Sequence, residues 1–201
     1  MDYIDFGNTG LKVSRLAIGT GTHGWAGRSD QTALGVEGLT NLLRRAFETG
    51  INFWDTADQY GSHRHVARAL QGVPREQVVI ATKTTAKKGQ DIVKDLARFR
   101  KELQTDVLDI VLLHGLSDPN WPEKYESAMA ALSRAKEAGL VRAVGFSCHG
   151  LGALRAAVET PWVDVVLVRI NHAGVNMDAP PATVVPLIEK LHAAGKAVYG
   201  M

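Results

Sequence analysis

The sequence predicts an α/β fold in which strands and helices alternate along the whole chain. Short apolar runs bounded by glycine or proline alternate with segments of helical periodicity, at a spacing of about 25 to 30 residues. Several helical segments stop at a glycine directly before the next apolar run, as at Gly50, Gly139 and Gly195. These units add up to about seven strands and six helices, which predicts an incomplete (β/α)8 barrel, the TIM-barrel fold.

The first element is a predicted β-hairpin over residues 1–14. Two short apolar runs, 3–6 and 11–14, flank the turn-rich tetrapeptide Gly7-Asn8-Thr9-Gly10. We expect this hairpin to act as a lid on a single domain that spans residues 1–201.

The remaining elements follow as βα units, and their strands are nearly continuous apolar runs. A run such as 109–113 suits a sheet that is covered by helices on both faces, and such a sheet requires parallel strands. The predicted strands are 16–19, 51–54, 78–81, 107–113, 143–146, 163–168 and 197–199, and the predicted helices are 39–48, 63–70, 92–103, 125–138, 151–158 and 183–194.

Two architectures remain open, a complete doubly wound open sheet and a closed barrel whose final quarter is missing. The last residue, Met201, follows the seventh predicted strand directly, whereas an eight-fold barrel typically needs about 250 residues. Polar residues at several strand ends favour the barrel, because an open sheet reverses its strand order and places its site at one switch point. We therefore expect the chain to be a fragment of a longer reading frame that also holds the phosphate-binding loops.

Composition and charge narrow the class of protein. The chain is 45% hydrophobic and 22% charged, and its 23 basic and 21 acidic residues form no basic stripe, so nucleic acid is not an expected partner. The N-terminus resembles neither a signal peptide nor a membrane span. The single cysteine, Cys148, suits a reducing compartment, and we predict a cytoplasmic protein. His63 and His65 lack a third ligand at a recognisable spacing, so no metal is expected.

Four polar residues stand at or just after the ends of successive apolar runs. Asp55 and Tyr60 follow the second predicted strand, and Lys83 and His114 close the third and fourth. Because the carboxyl ends of parallel barrel strands share one rim, we expect these four side chains to converge on one pocket.

The four residue types suit proton transfer. A phenol has a pKa near 10, and a buried ammonium beside it would lower the pKa of Tyr60 towards neutrality. A carboxylate at Asp55 would keep Lys83 charged and aimed at the phenol. His114 would hydrogen-bond a substrate oxygen or share the proton.

The sequence resembles the aldo-keto reductase superfamily over essentially its whole length. The matching segments are 6–16, Asn52-Phe53-Trp54-Asp55-Thr56-Ala57 with Tyr60-Gly61, Thr82-Lys83, Leu112-Leu113-His114 and 139–147. The resemblance implies an oxidoreductase that passes hydride from NAD(P)H to a small-molecule aldehyde or ketone. Tyr60 would protonate the carbonyl oxygen, and Asp55, Lys83 and His114 match the rest of the family's catalytic tetrad.

The same resemblance implies where a nicotinamide cofactor binds, with NADP(H) expected in preference to NAD(H). Gly19, Thr20 and Gly21 would line the floor of the cofactor site. Ser147 would hydrogen-bond the nicotinamide carboxamide, and Arg169 and Asn171 would lie near the nicotinamide ring.

Two positions depart from the family pattern. Cys148 follows Ser147 where the family usually has asparagine, and Leu167 stands where a glutamine of the sixth strand would fall. The carboxamide contact must therefore differ, and His149, Arg169 or Asn171 is a candidate for part of it, since each can donate a hydrogen bond.

Two other functions remain open. One is a non-catalytic or weakly active binding or regulatory protein of the same ancestry, including an inactive fragment. The other is a different rim chemistry, such as an isomerase that uses Tyr60 and His114 as an acid/base pair. The intact tetrad favours the reductase, because a binding module has little reason to keep a costly buried lysine–carboxylate pair.

Overall fold

The computed structural model describes residues 1–201 and contains nine β-strands in two sheets. Strands β1 and β2 pair in antiparallel fashion as a hairpin, and β3 to β9 form one parallel sheet. The strands are β1 (Tyr3–Asp5), β2 (Lys12–Ser14), β3 (Ala17–Gly19), β4 (Phe53–Asp55), β5 (Val79–Thr84), β6 (Leu108–Leu116), β7 (Val141–Cys148), β8 (Val165–Val168) and β9 (Ala197–Gly200).

Seven α-helices connect these strands, and one of them, α4, is a single turn. The helices are α1 (Gly35–Glu48), α2 (His63–Leu70), α3 (Gly89–Leu103), α4 (Trp121–Lys124), α5 (Glu126–Glu137), α6 (Leu151–Val158) and α7 (Pro181–Ala193). A 3-10 turn, Asp58–Tyr60, lies between β4 and α2. None of the helices combines the length and the apolar character that crossing a membrane would require.

The helices form because their apolar residues recur at helical spacing. In α3 the buried side chains include Ile92, Leu96, Phe99 and Leu103, three or four positions apart, so they form one stripe. Burying each such side chain contributes about 1.5–3 kcal/mol. The stripe packs into the larger of two apolar clusters, which lies between the sheet and the helices.

The seven parallel strands follow one another in the sheet in their order along the chain, from β3 to β9. This order has no reversal, which rules out the doubly wound open sheet and confirms the incomplete (β/α)8 barrel. The first and last strands of this sheet, β3 and β9, each pair with one neighbour only. The register places Asp55 beside both Gly19 and Ala81, and Lys83 beside Leu112, so the carboxyl ends of β4, β5 and β6 lie next to one another.

A second, smaller apolar cluster occupies the inside of the curved sheet. It includes Phe53, Ile110 and Val165 from the strands and Phe6 and Leu11 from the hairpin segment. The hairpin therefore packs its apolar residues into the barrel interior.

The hairpin closes the amino-terminal end of the sheet. The backbone N–H of Asn8 donates to the carbonyl of Gly195, just before β9, at 2.8 Å, and the N–H of Ser14 donates to the side chain of Asn52, just before β4, at 2.6 Å. Gly7 has a φ of +54°, and a Cβ there would lie 2.6 Å from the backbone nitrogen of Ala197. Only glycine fits this close approach.

Two strand ends differ from the sequence expectation. Strand β5 continues through Thr84, and β6 continues to Leu116, so Lys83 and His114 lie within their strands and do not close them. Strand β6 passes through Gly115, which has a φ of +72°, and its pairing with β7 resumes at Leu116 after an irregularity. The predicted ends of both strands are therefore too early, because each strand continues past a polar side chain.

Candidate active site

Strand alternation brings polar groups to one end of the barrel interior. On four strands, a polar residue stands two positions after a member of the inner apolar cluster, and side chains two apart on a strand share a face. These polar residues are Asp55 on β4, Lys83 on β5, His114 on β6 and Tyr199 on β9.

Asp55 and Lys83 form a buried ion pair. The Lys83 Nζ atom donates to Oδ1 of Asp55 at 2.6 Å, to Oδ2 at 2.8 Å and to the carbonyl oxygen of Thr56 at 2.9 Å. These three acceptors take all three protons of the ammonium. The Lys83 side chain is 0% exposed, and burial lowers its pKa, while the charge of Asp55 and its hydrogen bonds oppose that shift.

Tyr60 reaches the ion pair from the 3-10 turn Asp58–Tyr60. Gly61 ends this turn with a φ of +63°, in the left-handed region that glycine adopts without strain. A Cβ at Gly21 would lie 2.1 Å from Cε2 of Tyr60, and a Cβ at Gly24 would lie 2.3 Å from Cδ1. The loop after β3 therefore lies flat against the phenol ring because it carries glycine at both positions.

The pKa of Tyr60 is shifted in the direction opposite to the expected lowering by Lys83. Burial, and after it the negative charge of Asp55, raises the pKa of Tyr60 above its ordinary value. The ammonium lies 5.0 Å from the centre of the phenol ring, and its three protons are directed at Asp55 and Thr56. Tyr60 is therefore a protonated phenol at neutral pH.

His114 completes the group of four residues that the sequence analysis singled out. Its Nε2 atom lies 3.4 Å from the Tyr60 hydroxyl oxygen, and the two rings meet edge to face with centroids 5.6 Å apart. Burial, and after it the positive charge of Lys83, lowers the pKa of His114 to about 3. His114 is therefore neutral at neutral pH, and its Nδ1 atom is buried without a hydrogen-bond partner.

Sequence analysis missed Tyr199. Its hydroxyl donates to Oδ2 of Asp55 at 2.8 Å, so this carboxylate accepts hydrogen bonds from both Lys83 and Tyr199. Burial, and after it the charge of Asp55, raises the pKa of Tyr199 well above its ordinary value. The signal that could have identified Tyr199 is the alternation of side chains along a strand. Tyr199 lies two positions after the inward-facing Ala197, so it also faces the barrel interior.

A cavity of about 290 Å³ lies at this end of the barrel. Its lining combines open glycine backbone with polar site residues and belongs to strands β3, β4, β8 and β9 and to the segments that follow them. The lining residues are Ala17, Gly19, Gly21, Thr22, Asp55, Tyr60, Leu167, Tyr199, Gly200 and Met201.

The three residues predicted as the cofactor floor occupy different positions. Gly19 and Gly21 line the cavity, and a Cβ at Gly19 would meet no atom within 4 Å. The Thr20 side chain is 0% exposed, and its hydroxyl donates to the carbonyl of Asp55 at 3.0 Å and contacts the Ser62 hydroxyl at 2.8 Å. Thr20 therefore supports the backbone of Asp55 from behind the cavity.

Ser147 is buried on β7, and its hydroxyl oxygen accepts a hydrogen bond from the backbone N–H of Gly115 at 2.7 Å. The hydroxyl proton has no acceptor within the chain. It is therefore free to be donated to a ligand that reaches β7.

The other candidate donors lie close to one another after β7 and β8 and are engaged within the chain. Arg169 donates to Nδ1 of His149 and, at 3.2 Å, to Asp178. Asn171 binds the backbone of Val175 through both ends of its amide, at 2.8 and 3.1 Å. Burial, and after it the charge of Arg169, lowers the pKa of His149, so His149 is neutral and its proton is on Nε2.

An ion-pair cluster anchors the turn that carries Tyr60. Arg98 of α3 donates to both carboxylate oxygens of Asp58, at 2.6 and 2.8 Å, and also to Asp95 and Glu102. Ligand atoms of Asp58, His63 and Glu102 lie within 4.8 Å of one another, but both ring nitrogens of His63 have partners, in Glu102 and Thr82. Arg98 binds both carboxylates of this group, so we interpret the cluster as a structural anchor.

The incomplete (β/α)8 barrel thus carries a buried lysine–carboxylate pair, a phenol and a neutral imidazole at the carboxyl ends of its strands, the end at which enzymes of this fold class have their active sites. The profile of the Aldo/keto reductase family matches residues 15–200. The chain therefore belongs to the aldo/keto reductase family.

Individual relatives agree with this assignment. The chain is 30% identical over 167 residues to aldo-keto reductase YhdN of Bacillus subtilis, covering 73% of this chain and 47% of that protein. It is 28% identical over 205 residues to L-galactose dehydrogenase of Arabidopsis thaliana, covering 96% and 62%. The chain thus spans about half to two thirds of the length of these relatives.

A solved structure also agrees with the family assignment. The crystal structure of the thermostable aldo-keto reductase Tm1743, bound to the inhibitor epalrestat, matches with a TM-score of 0.80 and 25% identity, covering 100% of this chain and 72% of that one.

Proposed function

We propose that this protein reduces a small-molecule aldehyde or ketone with NAD(P)H, and that Tyr60 is the general acid. The observation that carries the proposal is the convergence of four side chains from successive βα units. Lys83 binds both oxygens of Asp55, and His114 faces the Tyr60 hydroxyl at 3.4 Å. A phenol, an imidazole and an ammonium that lie close together at one end of the barrel suit protonation of a carbonyl oxygen.

In the proposed reaction, the Tyr60 hydroxyl donates its proton to the carbonyl oxygen as negative charge develops there. When bound, the nicotinamide supplies the hydride that goes to the carbonyl carbon. The raised pKa of Tyr60 keeps the phenol protonated before the reaction. An alkoxide is a stronger base than a phenolate, so the transfer to the developing alkoxide is favourable.

Three neighbouring side chains would orient the substrate oxygen and stabilise the phenolate. His114, neutral because burial lowers its pKa to about 3, would hydrogen-bond the substrate oxygen without adding a charge. The Lys83 ammonium, 5.0 Å from the phenol ring centre, would stabilise the phenolate that remains after transfer. Asp55 holds that ammonium in place.

The residues around the phenol fit the nicotinamide end of a cofactor. The cavity of about 290 Å³ is lined by Tyr60, and the open face of Gly19 leaves its floor unobstructed. We propose that Gly19 and Gly21 line the cofactor floor, with Thr20 supporting it from behind through Asp55.

The remaining cofactor contacts are proposed as follows. Ser147 would donate its free hydroxyl proton to the carboxamide, and Arg169 and Asn171 are proposed to lie near the nicotinamide ring. Of the three candidates for the missing amide donor, we favour His149, because Arg169 occupies its Nδ1 and leaves the Nε2 proton available. NADP(H) is the proposed cofactor in preference to NAD(H).

Fluorescence titration of the protein with NADPH and NADH, followed by an assay of NADPH consumption with a panel of aldehydes, tests the proposal. We expect saturable binding, tighter for NADPH, and aldehyde-dependent consumption with one alcohol formed per NADPH oxidised. Binding without consumption would favour the binding-protein alternative. Interconversion of a carbonyl substrate without consumption would favour an isomerase.

A further inference from the structure

We propose that Tyr199 is a positioning residue that holds Oδ2 of Asp55, so that Lys83 can exchange its bond to this oxygen for a bond to the Tyr60 hydroxyl. The inference rests on the proposed function, because it explains how a fully engaged lysine assists the phenol during proton transfer.

All three protons of the Lys83 ammonium are already engaged. They are directed at Asp55 and at the Thr56 carbonyl, at 2.6 to 2.9 Å. None is directed at Tyr60. Lys83 must therefore release one acceptor before it can donate to the phenol oxygen.

Oδ2 of Asp55 is the acceptor that Lys83 can release at least cost. Contact length does not single it out, because its 2.8 Å contact with Lys83 lies between those of Oδ1, at 2.6 Å, and of the Thr56 carbonyl, at 2.9 Å. Of these three acceptors, Oδ2 has a second donor, the Tyr199 hydroxyl, at 2.8 Å. Release of Oδ1 or of the Thr56 carbonyl would instead remove a hydrogen bond that nothing replaces, which is costly in a buried site.

The Tyr199 ring is held firmly enough to keep its hydroxyl on Oδ2. It packs against Phe53 with ring centroids 5.0 Å apart and against Phe6 of the hairpin segment at 6.0 Å. Its backbone pairs with Leu167 on β8. The hydroxyl stays protonated at neutral pH, since burial raises the pKa of Tyr199 well above its ordinary value.

Tyr199→Phe tests the inference, because it removes the hydroxyl and keeps the packed ring. The matched control is Tyr3→Phe, which removes a hydrogen bond of similar length, 2.9 Å, from Tyr3 to the Gly50 carbonyl on the far side of the hairpin. We expect Tyr199→Phe to lower kcat about tenfold, with KM for the aldehyde and Kd for NADPH within about twofold of wild type. The alkaline limb of the kcat–pH profile should move upward by about half a unit to one unit, since Lys83 then assists Tyr60 less.

A second readout does not depend on turnover. The side-chain ammonium groups of Lys83 and Lys196 are both buried, and Lys196 donates only to the carbonyls of Ala157 and Thr160. In 15N NMR spectra, Tyr199→Phe should shift the Nζ resonance of Lys83 and leave that of Lys196 in place, while Tyr3→Phe should move neither.

The outcomes separate the inference from the proposed function. An unchanged Lys83 resonance in Tyr199→Phe, or a shifted resonance with unchanged kcat and pH profile, would overturn the positioning role. A wild-type protein without reductase turnover would overturn the proposed function and with it the role of Tyr199 in that reaction. The NMR comparison would then still decide whether Tyr199 acts on the lysine through Asp55.

Discussion

At the scale of single residues, the site depends on the buried ammonium of Lys83, whose removal from water costs free energy. Lys83 is 0% exposed, and an ammonium there is tolerated because Asp55 and the Thr56 carbonyl accept all its protons. Such a pair contributes little net stability compared with apolar residues of the same size, so its presence is consistent with the proton transfer proposed for Tyr60.

Lys83→Met should therefore destabilise the protein by about 3–5 kcal/mol, because it leaves Asp55 buried beside a single donor, Tyr199. The double variant Lys83→Met/Asp55→Leu should recover most of this loss, although it removes both charges. Urea unfolding of the two variants measures the difference. Equal destabilisation of the single and double variants would contradict the account of the pair.

His114 should make stability depend on acidity. Its folded pKa, about 3, lies below its ordinary value of 6.5, so the unfolded chain binds the proton first as pH falls. The stabilising contribution is complete above pH 6.5 and is lost as pH falls towards 3. Between pH 6.5 and 4 the loss is about 3 kcal/mol.

Urea unfolding of wild type and His114→Asn over this pH range checks the direction and the size of this stability change. The free energy of unfolding of the variant should fall less steeply with decreasing pH, because asparagine does not titrate. The difference in slope should correspond to at most one bound proton. Parallel curves for the two proteins would mean that His114 is not buried in its neutral form.

Gly21 should affect turnover because it lies directly against the ring of Tyr60. In Gly21→Ala the new methyl group would overlap the Tyr60 ring, from 2.1 Å, so the phenol must move and kcat should fall by about tenfold or more. In Gly19→Ala the methyl group enters open cavity space, so cofactor binding should weaken while kcat at saturation changes less. Steady-state kinetics with varied NADPH separates the two effects, and identical kinetic defects in both variants would contradict this assignment.

At the scale of elements, the 3-10 turn Asp58–Tyr60 needs an anchor because it is short and has no regular pairing. Arg98 supplies it through two short bonds to Asp58, so α3 fixes the position of the phenol from outside the barrel. No sequence pattern predicts this contact, since Asp58 and Arg98 are 40 positions apart and come from different βα units.

Arg98→Met should lower kcat about fivefold to tenfold while costing less than about 1 kcal/mol of stability, because the side chain is 41% exposed and exposed ion pairs contribute little. Arg45→Met is a suitable control, since it removes an exposed pair with Glu48 on α1. Steady-state kinetics and urea unfolding of both variants measure the changes in kcat and in stability. A loss of stability without loss of kcat in Arg98→Met would show that the anchor serves the fold alone.

The βα pattern was predictable because apolar runs and helical stripes have different periods, and the seven strands and the hairpin were found from them. Strand ends were less accurate, as at His114, because backbone pairing with β7 continues past a polar side chain. In the candidate site, the predicted residues stand next to recognisable motifs, whereas Tyr199 and Arg98 do not. Their roles depend on which strand face or helix face meets a distant partner, and only the fold defines that.

At the scale of the whole molecule, one sheet in unbroken order explains why distant residues meet. The inner faces of β4, β5, β6 and β9 each pass from apolar to polar towards the carboxyl end. The hairpin fills the opposite end, where Phe6 packs against both Phe53 and Tyr199. The apolar residues of the hairpin at one end thus support the polar side chains that converge at the other.

The most direct test of the central claim is the initial rate of aldehyde-dependent NADPH oxidation by Tyr60→Phe and by wild type under the same conditions. Removing the phenol hydroxyl removes the proposed proton donor and leaves the ring against Gly21 and Gly24. We predict a loss of about 100- to 10,000-fold in kcat with NADPH binding retained. Turnover near the wild-type rate would show that another group donates the proton and would contradict the account.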